Sequence, residues 1–358
     1  MKIQNILLAI ALLTAGHAVA QDKLNQQVKK DLIQNTTFGG YVIGQATATD
    51  QDDVKHSNFD LRLVRLYVDG KVLDVKYKLQ MEVNGVSGTS AEKGPRIVDA
   101  WAEWQKYKFF QVRFGQFKRA FTFENPMNPW DIGFGSYSQL VTKLAGMSDR
   151  LGEHSSGGRD IGLQIQGDLL PIGKDNHNFL HYQVGLYNGQ GINHSDVNSR
   201  KDLIGGIYVM PIKNLAIGAF GWNGSFSKDN VTVDRKRMAV GVKYEAAWTV
   251  RAEYATSKGY KLSDYDAEEG KFSGSDRADA WYMTIGAPLS KKCKLYAKWD
   301  AYRDNREWNS LKSIYGLAAN YYFYKNLKIQ ANYNFTYDKS TSKDKHYNTF
   351  DLQLYWRF

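Results

Sequence analysis

The sequence predicts an all-β protein, a 16-stranded antiparallel transmembrane β-barrel with short periplasmic turns, long outer loops and an inward-folded third loop. Three observations predict it. The chain ends in a long two-faced strand, sixteen amphipathic segments precede or include that end, and the connections alternate between short and long. The final stretch, Tyr347–Phe358, reads YNTFDLQLYWRF. Phe350, Leu352, Leu354, Trp356 and Phe358 share one parity; Asp351, Gln353, Tyr355 and Arg357 share the other. A period of two describes an extended strand with one apolar and one polar face. Such a strand needs a partner on each edge, and a closed barrel supplies the first strand as that partner.

Before the barrel lies Met1–Ala20, which reads as a signal peptide. Lys2 is its charged start, Ile6–Leu13 its apolar run, and Ala18-Val19-Ala20 its small-residue cleavage site. The run is too short for a membrane helix, which takes about 20 apolar residues. Residues 21–37 are polar, with Leu24, Val28 and Leu32 four apart; the pattern fits one or two turns of helix or a disordered periplasmic lead-in, and we expect disorder. Residues 38–358 form the barrel domain.

The sixteen segments lie near 38–48, 59–69, 72–84, 96–105, 109–117, 159–168, 178–188, 202–210, 214–222, 235–245, 247–257, 278–288, 293–303, 313–323, 326–336 and 347–358. Most are near the ~9–11 residues a tilted strand needs to cross a bilayer. In 75–84, Val75, Tyr77, Leu79, Met81 and Val83 alternate with Lys76, Lys78, Gln80, Glu82 and Asn84. Segments 327–335 and 238–245 repeat the pattern, whereas 38–48 and 59–69 alternate less cleanly. Short connections such as 69–71, 211–214 and 324–326 are followed by long ones at 49–58, 85–95, 118–158, 189–201, 223–234, 258–277, 304–312 and 337–346. Short turns at one end and long loops at the other are the outer-membrane barrel pattern.

Composition agrees. Aromatic content is 14%, with 23 Tyr and 9 Trp, as aromatic girdles at two membrane interfaces require. Mean hydropathy is −0.50, which a barrel shares with soluble proteins because only alternate residues meet lipid. The lone Cys293 excludes an internal disulfide. Net charge is +10. On the lumen parity of the clean strands stand Lys76, Lys78, Arg113, Lys243, Arg251, Lys298, Lys328 and Arg357, against Glu82, Asp99, Glu103, Glu245, Glu253, Asp300 and Asp351. That is near balance; much of the surplus sits in the turns and the lead-in.

The 118–158 connection is the longest, and it is rich in aromatic and apolar residues: Phe121, Phe123, Trp130, Phe134, Tyr137 and Leu140. A loop of this length in a compact domain is functional or disordered, and this composition opposes disorder. We expect it to fold inward and narrow the lumen. Lys118, Arg119, Lys143, Arg150 and Arg159 would then face Glu124, Asp131, Asp149, Glu153 and Asp160, setting up a transverse field.

The blocks RLYVDGKVLDVKYKLQMEV (65–83), VDAWAEWQ (98–105), VRFGQFKRAFTFEN (112–125), GRDIGLQIQGDL (158–169) and YQVGLYNGQG (182–191) together resemble the phosphate-selective porin O and P family. The resemblance runs from about Phe38 to Phe358. It implies a sixteen-stranded outer-membrane channel, commonly trimeric, whose basic residues guide anions through a constriction. Lys118, in the GQFK block, and Arg159, in the GRD block, are the residues it carries over.

No nucleophile elbow, zinc-protease or phosphate-loop motif is present, and no enzyme activity or cofactor is expected. His154-Ser155-Ser156 lacks a triad's geometry in sequence, and the acidic run 264–269 lacks the glycine spacing of an EF-hand. No basic-aromatic nucleic-acid module is present. The expected function is passive diffusion of small hydrophilic solutes, anions such as phosphate, across the outer membrane by a homotrimer embedded in outer-membrane lipid. A general, weakly selective porin and a plugged barrel serving as adhesin or enzyme are the alternatives. The expected pore-lining set is Lys76, Lys78, Arg113, Lys118, Arg119, Glu124, Lys143, Arg150, Arg159, Lys243, Arg251 and Lys298.

Overall fold

The last strand closes the molecule. Phe350, Leu352, Leu354, Trp356 and Phe358 are 48, 38, 50, 50 and 53% exposed, while Asp351, Gln353 and Tyr355 are 7, 1 and 0% exposed. The apolar parity therefore faces outward and the polar parity faces the lumen, the reverse of a soluble β-protein. The structure, a computed structural model, describes residues 21, 23–84, 94–343 and 345–358. The expected signal peptide, residues 1–20, and most of the second long loop lie outside the described residues.

Sixteen strands form one closed antiparallel barrel. They are β1 (Thr36–Thr49), β2 (Ser57–Val72), β3 (Val75–Glu82), β4 (Arg96–Tyr107), β5 (Phe110–Lys118), β6 (Arg159–Ile172), β7 (His177–Tyr187) and β8 (Asp202–Val209). The second half comprises β9 (Leu215–Lys228), β10 (Val231–Glu245), β11 (Thr249–Lys258), β12 (Arg277–Pro288), β13 (Cys293–Arg303), β14 (Leu311–Tyr324), β15 (Leu327–Asp338) and β16 (His346–Arg357). Each pairs with its sequence neighbour, and β16 pairs with β1 from Tyr41↔Arg357 to Thr49↔Thr349. Phe358 and Gly40 exchange backbone hydrogen bonds of 3.0 Å in both directions, so the last residue seals the seam. No described helix is long and apolar enough to cross a membrane; the strands do so.

Two strands with imperfect alternation have a local cause. Ile43 pairs with Leu63 and Gly44 with Leu61, so Arg62 has no opposite residue. This bulge reverses the parity of β2 across it.

Two expectations are corrected. Residues 23–34, expected as a disordered lead-in, form a helix, α1. Leu24, Val28 and Leu32 recur every four residues along it, and Asp31 anchors it by accepting the backbone N–H of Leu73 in the first short turn at 2.9 Å. The 223–234 connection, expected as a long loop, is a tight hairpin: β9 runs on to Lys228 and β10 begins at Val231. Asp229 and Asn230 take positive φ of 52° and 66° in its two-residue turn, the conformation Asp and Asn tolerate best after Gly. The connection after β6 is also short, because β6 extends to Ile172 and β7 begins at His177.

Exposed aromatics gather near both ends of the strands. Phe38, Trp248, Tyr321, Phe323, Tyr324, Trp356 and Phe358 mark the short-turn end; Phe59, Trp308, Tyr315 and Phe350 mark the long-loop end. Their amphipathic rings suit the two membrane interfaces.

Candidate constriction

The third loop, residues 119–158, leaves the rim and packs inside the barrel. Its aromatic residues find a wall made for them. Phe121 and Phe123 stack edge-on against Trp222 and Phe220, with centroids 5.6 and 5.1 Å apart. Helix α2 (Gln139–Leu144) buries Leu140, Val141 and Leu144 in a cluster with Ala239, Ala255, Ala278 and Ala280. These inward alanines remove the volume that the loop then fills.

Burying a loop also buries its backbone N–H groups, each of which must find an acceptor. The acidic residues of the barrel wall supply them. Glu253 accepts from the N–H groups of Phe123 and Glu124 at 2.7 and 2.9 Å, and from the Tyr282 hydroxyl at 2.7 Å. Asp300 accepts from the Gln139 N–H at 3.0 Å. Asn332 accepts from the Gly135 N–H at 3.0 Å. Basic wall residues take the loop's carbonyls: Lys328 donates to Trp130 O at 2.7 Å, and Arg251 to Ile132 O at 2.8 Å. Ser138 caps α2 by accepting the Val141 N–H, and its own N–H goes to Glu124 at 3.1 Å.

The far end of the loop is held by buried ion pairs. Arg119 pairs with Glu153 at 3.0 Å and Asp160 at 2.9 Å, Arg235 with Glu153 at 2.9 Å, and Arg237 with Asp149 at 2.6 Å. All three guanidiniums lie 4.8–4.9 Å from the Trp222 ring. Arg150 reaches across to the carbonyls of Ser275 and Asp304 at 3.2 and 3.1 Å, tying the loop to its neighbours.

What stays open lies between the loop and the wall formed by β1–β8. A chamber of about 260 Å³ faces the long-loop end and one of about 370 Å³ faces the short-turn end. Arg65, Lys118, Pro129 and Arg159 line both, and so define the waist between them. Lys118 and Arg159 are direct register partners on β5 and β6. Arg159 is held bidentately by Asp99 at 3.0 and 3.1 Å. Arg65 is held by Glu82 at 2.6 Å and by the Tyr41 hydroxyl at 3.0 Å. Arg96 shares the same Glu82 at 3.2 Å. Lys118 donates to Met127 O at 3.0 Å and to the Tyr137 hydroxyl at 3.1 Å, which fixes the inner edge of the loop against the waist.

Among the described residues, the two chambers are lined by Arg62, Arg65, Lys78, Arg96, Arg113, Lys118, Arg119 and Arg159 but by only two acids, Glu82 and Asp99. Arg119 is wholly buried in its ion pairs, which leaves seven cations facing two carboxylates. The near balance counted by parity is thus split in space. Glu253 and Asp300 lie beneath the loop together with Lys243, Arg251, Lys298 and Lys328, while the cations of β2–β6 face the passage.

The expected pore-lining residues divide accordingly. Lys118 and Arg159 meet at the waist; Lys78 and Arg113 line the inner chamber, Arg113 lying 4.5 Å over Trp101. Lys76 is exposed near the short-turn end. Arg119, Glu124 and Arg150 are buried anchors of the loop, Arg119 behind the wall of the inner chamber with its guanidinium held in ion pairs. Arg251, Lys298 and Lys243 sit under the loop, the last two over Phe134 and Phe123 at 4.8 and 5.5 Å. Lys143, half-buried on α2, makes no ion pair among the described residues. Asp149, Glu153 and Asp160, expected to face the cations across the lumen, are instead buried in ion pairs behind the loop. Parity missed Arg65 because of the β2 bulge. Arg235 and Arg237 lie inside the expected segment 235–245 on the lumen parity, but ahead of its cleanly alternating part, 238–245.

This fold defines the chain as an outer-membrane β-barrel of the porin type, with an inward loop and a charged waist. Residues 40–190 match the model of the family described as phosphate-selective porin O and P. Solved structures agree in fold. An anion-selective porin from Comamonas acidovorans superposes with a TM-score of 0.66 at 14% identity, covering 90% of this chain and 99% of that one. The outer membrane channel DcaP of Acinetobacter baumannii gives 0.63 at 14% identity, covering 90% and 97%. OmpT of Vibrio cholerae, in its trimer form, gives 0.60 at 13% identity, covering 90% and 99%. No protein of curated function matches the chain in sequence.

Proposed function

We propose that this outer-membrane channel passes small hydrophilic anions, phosphate among them, by passive diffusion through the waist of Arg65, Lys118 and Arg159. One observation carries the reading: seven cations against two acids along the open passage, while wall acids are spent on the N–H groups of the third loop. A low-dielectric tube lined by one sign of charge focuses the field and concentrates the opposite ion. The described similarity to an anion-selective porin supports it. A homotrimer is the assembly we propose, as described for OmpT of Vibrio cholerae. We infer no enzymatic role: His154 stacks on His194 at 3.9 Å, and the Ser156 hydroxyl donates to Gly146 O. The test is the reversal potential in a planar bilayer under a salt gradient, followed by addition of phosphate. The expected result is an anion-side potential and block of chloride current by phosphate. A potential near zero overturns the anion reading in favour of a general porin, and absence of current from folded protein overturns the channel.

A further inference from the structure

The outer surface of the barrel carries a furrow that ion passage does not use. Its floor is made of small residues on adjacent strands. Gly205 on β8 pairs with Gly221 on β9, and Ala219 with Ile207. A Cβ added to Gly221 would meet no atom within 4 Å, so the floor opens directly to the exterior. Leu203 and Ile207 rise on one side and Met238 and Val240 on the other, all exposed. The cavity, about 1050 Å³, runs on toward the middle of the membrane into a second of about 850 Å³. Ile207 and Ala219 line both, and Val242, Ala252 and Met283 continue the apolar wall.

At the long-loop end the furrow meets cations. Asn223, Lys236, Lys258 and Arg277 are successive register partners across β9, β10, β11 and β12, so they form one exposed row. Arg306 joins them at the same cavity. Their acidic neighbours are Asp234, 3.3 Å from Lys236; Asp276, 3.9 Å from Lys258 and 3.8 Å from Arg277; and Asp279, 3.7 Å from Arg306. Asp279 is already held by Arg303 at 2.9 Å. Exposed pairs of this kind contribute little, so the row remains available to a stronger anion.

A cation row at the water–lipid boundary, above an apolar slot of acyl-chain width, matches an amphiphile with a phosphorylated head. We propose that the β8–β12 face binds a phosphorylated acyl lipid of the outer leaflet, of the lipid A class. Its phosphate lies on Lys236, Lys258 and Arg277, and an acyl chain lies along Gly205, Gly221 and Ala219. The long-loop end faces the outer leaflet in barrels of this kind, which places the row at headgroup level. A second protein copy in the furrow would have to desolvate those cations inside a protein interface, which is costly.

Native mass spectrometry of the purified full-length protein in detergent tests this, with bisphosphorylated lipid A, its dephosphorylated form, and inorganic phosphate as probes. Wild type should bind the first far more tightly than the second, and inorganic phosphate should not displace it. The triple variant K236E/K258E/R277E should weaken lipid A binding about a hundredfold, from about fivefold per basic side chain. Gly221→Leu, which fills the floor without touching the row, should also weaken it. Wild-type conductance in both variants shows that the barrel is folded. Unchanged lipid A binding in either variant overturns the proposal, as does equal binding of the dephosphorylated form. A change of oligomeric mass in Gly221→Leu with lipid binding retained would assign the furrow to a second copy and also overturn it.

Discussion

The ion pair between Arg159 and Asp99 offers a symmetric test of the waist. Its two hydrogen bonds, 3.0 and 3.1 Å, make it a neutral unit. Arg159→Gln removes the cation and uncovers Asp99; Asp99→Asn does the opposite. An ion about 5 Å from a unit charge feels about 0.8 kcal/mol in water-like dielectric, cut to about 0.5 by screening at 0.1 M salt. Losing Arg159 costs an anion about 0.5 kcal/mol of attraction and spares a cation as much repulsion, about 1 kcal/mol in all. The anion-to-cation permeability ratio should therefore fall about fivefold in Arg159→Gln and rise about fivefold in Asp99→Asn. The double variant, neutral again, should return near wild type. Reversal potentials in planar bilayers measure all four proteins, with heat-dependent gel mobility confirming the folded barrel. Shifts of the same sign in both single variants, or none in either, would refute the assignment of the waist.

Three further outcomes follow from the same contacts. Glu253→Ala strands the N–H groups of Phe123 and Glu124, each bond to a charged acceptor being worth about 1.5–3 kcal/mol; a larger, noisier single-channel conductance is expected. Asp149 is buried, which alone would raise its pKa, but Arg237 and Arg235 outweigh that and hold its carboxyl below the usual carboxylate range. A depressed carboxylate stabilises fully above its unfolded pKa and loses that contribution only as pH falls through the folded value. The third loop should thus resist protease equally at pH 7 and pH 5, whereas Asp149→Asn should make it cleavable at both, since breaking a buried pair costs about 3–5 kcal/mol. Deleting Phe358 removes the paired bonds to Gly40, about 0.5–1.5 kcal/mol each, and should lower the melting temperature and yield of folded barrel. Unchanged melting would show that the seam does not depend on the terminal residue.

The division between what was legible and what was not is physical. Strand number, strand positions and the outward apolar face follow from period-two alternation, which any single strand carries within itself. Lys76 to Glu82 and Asp351 to Arg357 announce their face without reference to other strands. The third loop was legible too, because a connection that long and that aromatic has nowhere else to bury Phe121, Phe123 and Trp130. Even the wall it covers left a trace, in inward alanines such as Ala239.

Three things needed the tertiary structure. A bulge costs one residue and leaves no fixed signature, so Arg65 changed faces unseen behind Arg62. A hairpin that continues past the membrane reads as loop, which hid the run of β9 to Lys228 and the start of β10 at Val231. Above all, parity tells which residues face the lumen but not which of them the loop then covers. The sequence by itself determined a sixteen-stranded barrel with nearly balanced inward charge. Only the folded chain decided which charges line the passage: the loop covers Glu253 and Asp300 together with Lys243, Arg251, Lys298 and Lys328, while Arg65, Lys118 and Arg159, outside the parity count, face the open path.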